Sequence, residues 1–320
     1  MSHGEGLLLT AVVTTFARPS MAKRAVQSVL DQTYESVEVI VVEDGSRTGI
    51  DHWLEELKIE SVRYFCHEKN RGLAAARNTG ISNARGGYIA FLDDDDEWLP
   101  EKLARQIDLL KRKDDTCAVV YCGALLLSEE GRVVGQNLPQ LQGDIRSAIR
   151  NRGLFTVPSS CVFRRAALDR VGGYDETLSS HIDHDIWFQL AREGYACSFV
   201  GECLVKVHQH HEPKMTDDAS ARVEATLLFC SKWEDCLKTW FGRWETLRYC
   251  SRFKGRVMAM LGWGLFDKGK RQQGLKYFLV ALQYDWKKRD YYAGLVASVI
   301  GKNLWERFLK TWRRFDRCAT

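Results

Sequence analysis

The chain has 320 residues, 46 Lys and Arg against 42 Asp and Glu, 45% hydrophobic residues and only 5 prolines. That length predicts two domains, or one large domain with an appendage, and the composition excludes a Pro-rich disordered protein. No apolar run reaches the roughly 18 residues of a membrane span, and the opening residues lack the basic-then-apolar pattern of a secretory leader. Ten cysteines without a C-x-x-C pair read as free thiols of a reducing compartment, against a disulfide framework or a zinc site. The charge is unevenly placed. Residues 215–320 carry 21 Lys and Arg against 11 Asp and Glu, and seven of the ten tryptophans; the first 214 residues carry 25 against 31. Two regions of different composition, and so of different role, are expected, a first domain over 1–213 and a basic, Trp-rich helical region over 214–320.

In chain order, Leu7–Thr15 predicts a buried strand, and Pro19–Leu30 an amphipathic helix with Ala22, Ala25, Val26 and Val29 on one face. Val37–Val42 is a second strand, ended by the turn formers Glu43-Asp44-Gly45-Ser46. A helix around Trp53–Leu57, a strand at Val62–Phe65, a helix over Ala74–Ala84 and a strand at Tyr88–Leu92 follow. This alternation predicts an α/β fold with a mostly parallel sheet. Further strands are expected at Ala118–Leu127, Cys161–Phe163, Tyr195–Val200 and Leu204–Val207, with a helix over Asp185–Glu193. Beyond His211 the expected helices are Ala221–Trp240, Thr246–Lys268, Gly274–Tyr284 and Trp305–Arg317.

Ligands of open α/β sheets bind beyond the carboxyl ends of the strands. Two acidic clusters fall there, Glu43-Asp44 and Asp93-Asp94-Asp95-Asp96-Glu97. Adjacent aspartates repel one another unless a cation or hydrogen-bond donors compensate, which suits a hard divalent ion with phosphate oxygens; a solvated turn or a helix start is the alternative.

The motifs in order resemble family 2 glycosyltransferases, the inverting, nucleotide-sugar-dependent enzymes of GT-A fold. The resemblance rests on Thr14-Thr15-Phe16, Ser28–Tyr34, Val41–Ser46, Asn70-Arg71-Gly72, Ala76–Gly80, Gly87–Asp96, Val171–Glu176 and Asp183–Trp187. It implies a Rossmann-like mixed, mostly parallel sheet flanked by helices. It further implies that Thr15, Asp44, Arg71, Arg77, Asp93 and Asp94 line the donor site, with Asp44 accepting the base N–H and Asp93 against the ribose. Asp95, with His208 of Lys206-Val207-His208, would hold Mn²⁺ or Mg²⁺, and Asp183 would be the general base. Ser159, Ser160, Asp185 and Trp187 would lie on the acceptor side, with Asp96 and Glu97 supporting or capping. The sequence departs from the family pattern at Ala17, Glu43, Ile182 and Gln189, and the Q-x-x-R-W element of processive synthases is missing. The function implied is transfer of one sugar from a UDP-sugar, or a dTDP-sugar, to a glycan or lipid-linked glycan. A nucleotidylyltransferase and a non-catalytic nucleotide-binding relative are the rivals. The expected location is the cytoplasm, with no nucleic-acid partner. The stripe Trp305, Phe308, Leu309, Trp312 and Phe315 either docks on the protein, meets a partner subunit, or lies on an anionic inner-membrane surface.

Overall fold

The computed structural model describes residues 8–151, 157–209, 219–301 and 304–305, and the chain divides into two compact units, Met1–Glu212 and Pro213–Thr320. In the first unit the strands are β1 (Leu9–Thr15), β2 (Val37–Glu43), β3 (Val62–Cys66), β4 (Tyr88–Asp93), β5 (Asp96–Trp98), β6 (Cys117–Leu127), β7 (Val133–Asn137), β8 (Gly143–Asp144), β9 (Cys161–Arg164) and β10 (Ala196–His208). They form one sheet of order β3-β2-β1-β4-β9-β6-β10-β5, with β7 beside β6 and β8 beside β10. Strands β1, β2, β3 and β4 pair in parallel; β9 runs antiparallel to both β4 and β6, and β10 is parallel to β6. The main strands therefore share one direction, and their carboxyl ends gather at one edge. Register aligns Thr15 with Glu43 and Thr14 with Asp93, so both acidic clusters lie at that edge.

The helices of this unit are α1 (Pro19–Leu30), α2 (Ile50–Leu57), α3 (Leu73–Asn83), α4 (Lys102–Lys111), α5 (Ile145–Asn151), α6 (Arg165–Val171) and α7 (Ile182–Arg192). The apolar face of α1 is buried as its periodicity requires, through Ala22, Ala25, Val26 and Val29. These side chains join Val13, Val41, Ile50, Leu103 and Ile107 in the main core. Helix α3 is pressed against β1: a Cβ on Gly80 would sit 2.3 Å from Val12 Cγ1.

Four sequence expectations are corrected. The two strands expected at Tyr195–Val200 and Leu204–Val207 are one strand, β10, whose intervening Gly201-Glu202 is absorbed in register shifts against β6. Asp96 and Glu97 do not begin a helix; they form β5, antiparallel to β10 with Asp96 opposite Val207. Helix α7 starts at Ile182, which places Asp183 and Asp185 in its first turn. Helix α11, below, was not expected.

The second unit is helical: α8 (Ala219–Phe241), α9 (Arg243–Asp267), α10 (Arg271–Tyr284) and α11 (Arg289–Ile300). Met258, Ala259, Phe278, Ala281 and Tyr291 form its core cluster, and Trp263 packs edge-on against Phe278. No described helix is long and apolar enough to cross a membrane. The expected Trp305–Arg317 helix lies outside the described residues beyond Trp305, whose ring is 6.0 Å from that of Trp263.

Candidate active site

Each member of the acidic run is held separately. Asp93, at the end of β4, pairs with Arg77 Nη2 at 2.8 Å, and its backbone N–H donates to Ser159 Oγ. Asp94 is buried: it accepts from the Thr15 hydroxyl at 2.7 Å and lies 2.5 Å from Arg18 Nη2. Burial pushes its pKa up to about 6, against the opposing pull of Arg18 and Thr15. Asp95 stays partly open and is 3.5 Å from Arg18 Nη1. Asp96 accepts from the Ser159 hydroxyl at 2.6 Å. Glu97 meets Arg24 at 3.0 Å, Lys206 at 3.5 Å and His208 Nε2 at 2.7 Å. Burial, then Arg24, lower the His208 pKa and favour its neutral form.

Repulsion along the run is thus relieved mainly by arginines brought from α1, the turn before it, and α3. Arg18, at the N-cap of α1, and Arg24 had no place in the sequence reading. The only trace of them was a basic residue just past a strand end.

Arg77 differs most from expectation. It does not face open solvent; it is fully buried and bridges Asp93 to Asp183, Nη1 meeting Asp183 Oδ1. The rings of Phe91 and Tyr174 lie 5.6 and 5.1 Å from the guanidinium carbon. Burial alone would lower its pKa, but the Asp183 and Asp93 carboxylates hold it well above the ordinary value. Residues 106 positions apart in the chain thereby reach one another. Asp183 keeps a side-chain exposure of 34%, and Asp93 25%.

Asp44 anchors the turn before α3. Its Oδ1 accepts from the Arg71 N–H at 2.8 Å and lies 2.7 Å from His67 Nδ1; its Oδ2 accepts from the Gly72 N–H at 2.8 Å. Gly45 next to it has φ +85°, and a Cβ there would meet Asn70 N at 2.3 Å, so only glycine lets these two turns touch. Glu43 faces the other way and accepts from Ser46, Thr48 and Tyr64; burial raises its pKa, but these donors hold it below the usual value. The Arg71 side chain is about half exposed and pairs with Glu176 at 3.2 Å.

The four residues expected on the acceptor side are inside the protein. Ser159, Ser160, Asp185 and Trp187 are all buried. Ser160 donates to the Val157 carbonyl, Asp185 accepts from Gln189, and Trp187 packs edge-on against Tyr121. The cause for Asp185 is helical geometry: two positions after Asp183, it points to another face of α7 and is satisfied one turn on. Gln189, where the family pattern has arginine, is that partner.

The donor set suits a hard divalent ion. Asp95 and Asp93 present carboxylate oxygens at the strand edge, both partly open. His208 is turned toward Glu97 and would have to rotate to join them. Among the described residues no three His, Cys, Asp or Glu side chains form a metal cage, so an ion here would complete its shell with phosphate and water oxygens. His210 and His211 lie outside the described residues.

The profile of glycosyl transferase family 2 matches residues 10–172, about half of the chain. The chain belongs to that family. Among its relatives, an uncharacterized glycosyltransferase of Rickettsia felis is 27% identical over 233 residues, 70% of this chain but 38% of that protein. The chain therefore spans about two-fifths of that relative's length. A putative teichuronic acid biosynthesis glycosyltransferase, TuaG of Bacillus subtilis, is 26% identical over 237 residues, covering 73% of this chain and 86% of that one. Among solved structures, S. aureus TarS in complex with UDP-GlcNAc superposes with a TM-score of 0.56 at 14% identity, covering 91% of each chain. This family 2 member has the GT-A fold, with the mixed, mostly parallel sheet its sequence implied.

Proposed function

We propose that the protein is an inverting, metal-dependent glycosyltransferase. It moves one sugar from a UDP-sugar, or a dTDP-sugar, to a hydroxyl of a glycan or lipid-linked glycan in cell-surface polysaccharide or glycolipid assembly. The observation that carries this reading is the shared guanidinium. Arg77 pairs with both the carboxylate at the end of β4 and the one at the start of α7, and each of the two stays partly exposed; in this reading they are the donor-side and acceptor-side groups.

In this reading Asp93 meets the ribose and Arg71 lies at the rim of the nucleotide pocket. Asp44, expected to accept the base N–H, has its oxygens engaged by His67 and the Arg71 and Gly72 N–H groups, and it shapes the pocket floor by fixing that backbone. Thr15 and Asp94 support the strand edge from beneath. Asp95 would hold Mn²⁺ or Mg²⁺, with His208 as a second candidate ligand; such an ion neutralises charge on a departing diphosphate. Asp183 takes the proton from the acceptor hydroxyl. The acceptor oxygen attacks the anomeric carbon from the face opposite the nucleotide, the bond from that carbon to the diphosphate oxygen breaks, and the centre inverts. The TuaG likeness supports a polysaccharide acceptor, and the lack of a glycine-rich turn between Thr14 and Ser20 disfavours the nucleotidylyltransferase reading.

Peripheral contact with an anionic membrane surface through the stripe that starts at Trp305 is part of the proposal, with docking on the protein or on a partner subunit as the alternatives. The described residues that support it lie on α11, where Tyr292, Val296 and Val299 are exposed on one face, preceded by exposed Trp286, Lys287, Lys288 and Arg289.

The test is nucleoside diphosphate release from a panel of UDP- and dTDP-sugars with candidate glycan acceptors, with Mn²⁺ or with chelator. Release that requires the cation and vanishes in Asp95→Ala is expected. Absent or cation-independent release, with unchanged nucleotide affinity in Asp95→Ala, would remove the enzyme reading.

A further inference from the structure

We infer that Arg77 is a positioning residue for the transfer step. It fixes the donor-side carboxylate of Asp93 and the Asp183 carboxylate relative to each other, and holds one Asp183 oxygen so that the other faces the acceptor. This rests on the assignment of Asp183 as base made above.

Three observations on the one side chain carry the inference. The cation is inaccessible while both its anions are open: the Arg77 side chain has 0% exposure, Asp93 25% and Asp183 34%. Arg77 therefore acts through the carboxylates and has no surface to offer either substrate. An arginine that served only to stabilise the interior would be expected to bury its partners with it, because burying one charge and leaving the other in water forgoes most of the attraction while keeping the desolvation cost.

The bonding is divided evenly. Nη1 serves Asp183 and Nη2 serves Asp93, while Nε finds no acceptor among the described residues. The two directed bonds thus go to different carboxylates on different elements, Asp93 on β4 and Asp183 on α7. A guanidinium has its donors fixed in one plane, so binding both sets their separation; an ammonium, a point charge with rotating donors, would not.

The plane itself is held. Phe91 and Tyr174 pack their rings near the guanidinium, and their own rings meet edge-to-face at 5.3 Å and 85°. Tyr174 is anchored in turn through its backbone, which donates to and accepts from the Asn78 side chain on α3, the helix that bears Arg77. The arginine, its ring walls and the helix form one support beneath the two carboxylates.

The test compares Arg77→Lys, Asp183→Asn and the double variant, measuring kcat, donor KM, direct UDP affinity and thermal stability. Arg77→Lys should lower kcat about 10- to 100-fold with donor KM and UDP affinity within about threefold, because charge is kept and geometry lost. In the Asp183→Asn background the same change should cost less than about threefold, since its effect acts through the missing base. An unchanged kcat in Arg77→Lys, or full multiplication of the two losses in the double variant, overturns the inference. If Arg77→Lys does not fold, Tyr174→Leu, which keeps the arginine and removes one wall, should still lower kcat several-fold at constant donor KM; no change there overturns it too. Near-normal transfer by Asp183→Asn alone would fault the choice of base, a separate failure read from a separate protein.

Discussion

Lys102 offers a prediction whose size follows from the structure. It lies on α4, completely buried, with its ammonium 4.0 Å from the centre of the Trp98 ring and no hydrogen-bond acceptor among the described residues. Burial lowers its pKa from 10.5 to about 8, with the neighbouring thiols Cys122 and Cys161 acting weakly the other way. That lowering corresponds to roughly 3 kcal/mol between the charged and neutral forms. Near pH 7 the lysine is protonated both folded and unfolded, so this penalty is carried in full. Between about pH 8 and 10.5 the unfolded chain binds more protons than the folded one, and stability should rise with pH. Lys102→Met keeps the volume, removes the charge, and forfeits a cation–π contact of up to about 2 kcal/mol. The variant should therefore gain about 1–3 kcal/mol at pH 7, a Tm increase of roughly 2–10 °C for a unit of this size. Thermal denaturation from pH 7 to 10.5 checks it: the advantage should shrink as pH rises through that window. A variant destabilised at pH 7, by an amount that does not change with pH, would refute the reasoning and show the ammonium to be well partnered.

Other consequences concern the turn after β1, the α3–β1 contact and the face of α11. Ala17 has φ +56°, a left-handed conformation that asparagine tolerates better, so Ala17→Asn should stabilise by roughly 0.5–1 kcal/mol in chemical denaturation. Gly80→Ala should destabilise by about 1–3 kcal/mol in the same assay, because the added methyl would collide with Val12. Val296→Ser with Val299→Ser should reduce sedimentation with vesicles containing phosphatidylglycerol at least about threefold, with little change in Tm. A loss of Tm with unchanged sedimentation would mean that the α11 face is a covered one.

How legible the molecule was depended on the range of the interactions. Elements bounded by local signals were readable: Pro19 opening α1, the turn formers closing β2, the apolar run of β4. Strand β5 was not, because nothing within Asp96–Trp98 favours a strand; pairing with β10, more than 100 residues on, creates it. Helix α11 escaped notice since, past Arg289 and Asp290 in its first turn, its exposed positions are Tyr292, Val296 and Val299, so the sequence shows no continuous polar face. At the site, motif order placed Asp93, Asp95 and Asp183 on strand and helix ends that the fold brings near one another. It did not show that Arg18 would neutralise Asp94, or that Arg77 would turn inward between two carboxylates. Those are facts of packing between segments far apart in the chain, and no spacing within either segment records them. The serines and Trp187, expected to face the acceptor, are buried and engaged by hydrogen bonds and aromatic contacts, which their motif did not record.

Donor binding and sugar transfer measured side by side in Asp183→Asn test the central claim most directly. With Mn²⁺ present, the variant should bind the nucleotide-sugar within about threefold of the wild type and transfer the sugar at least about 10²-fold more slowly, the low end for loss of a general base. Transfer within tenfold of wild type at equal donor affinity would contradict the account, because the proton would then be leaving by another route.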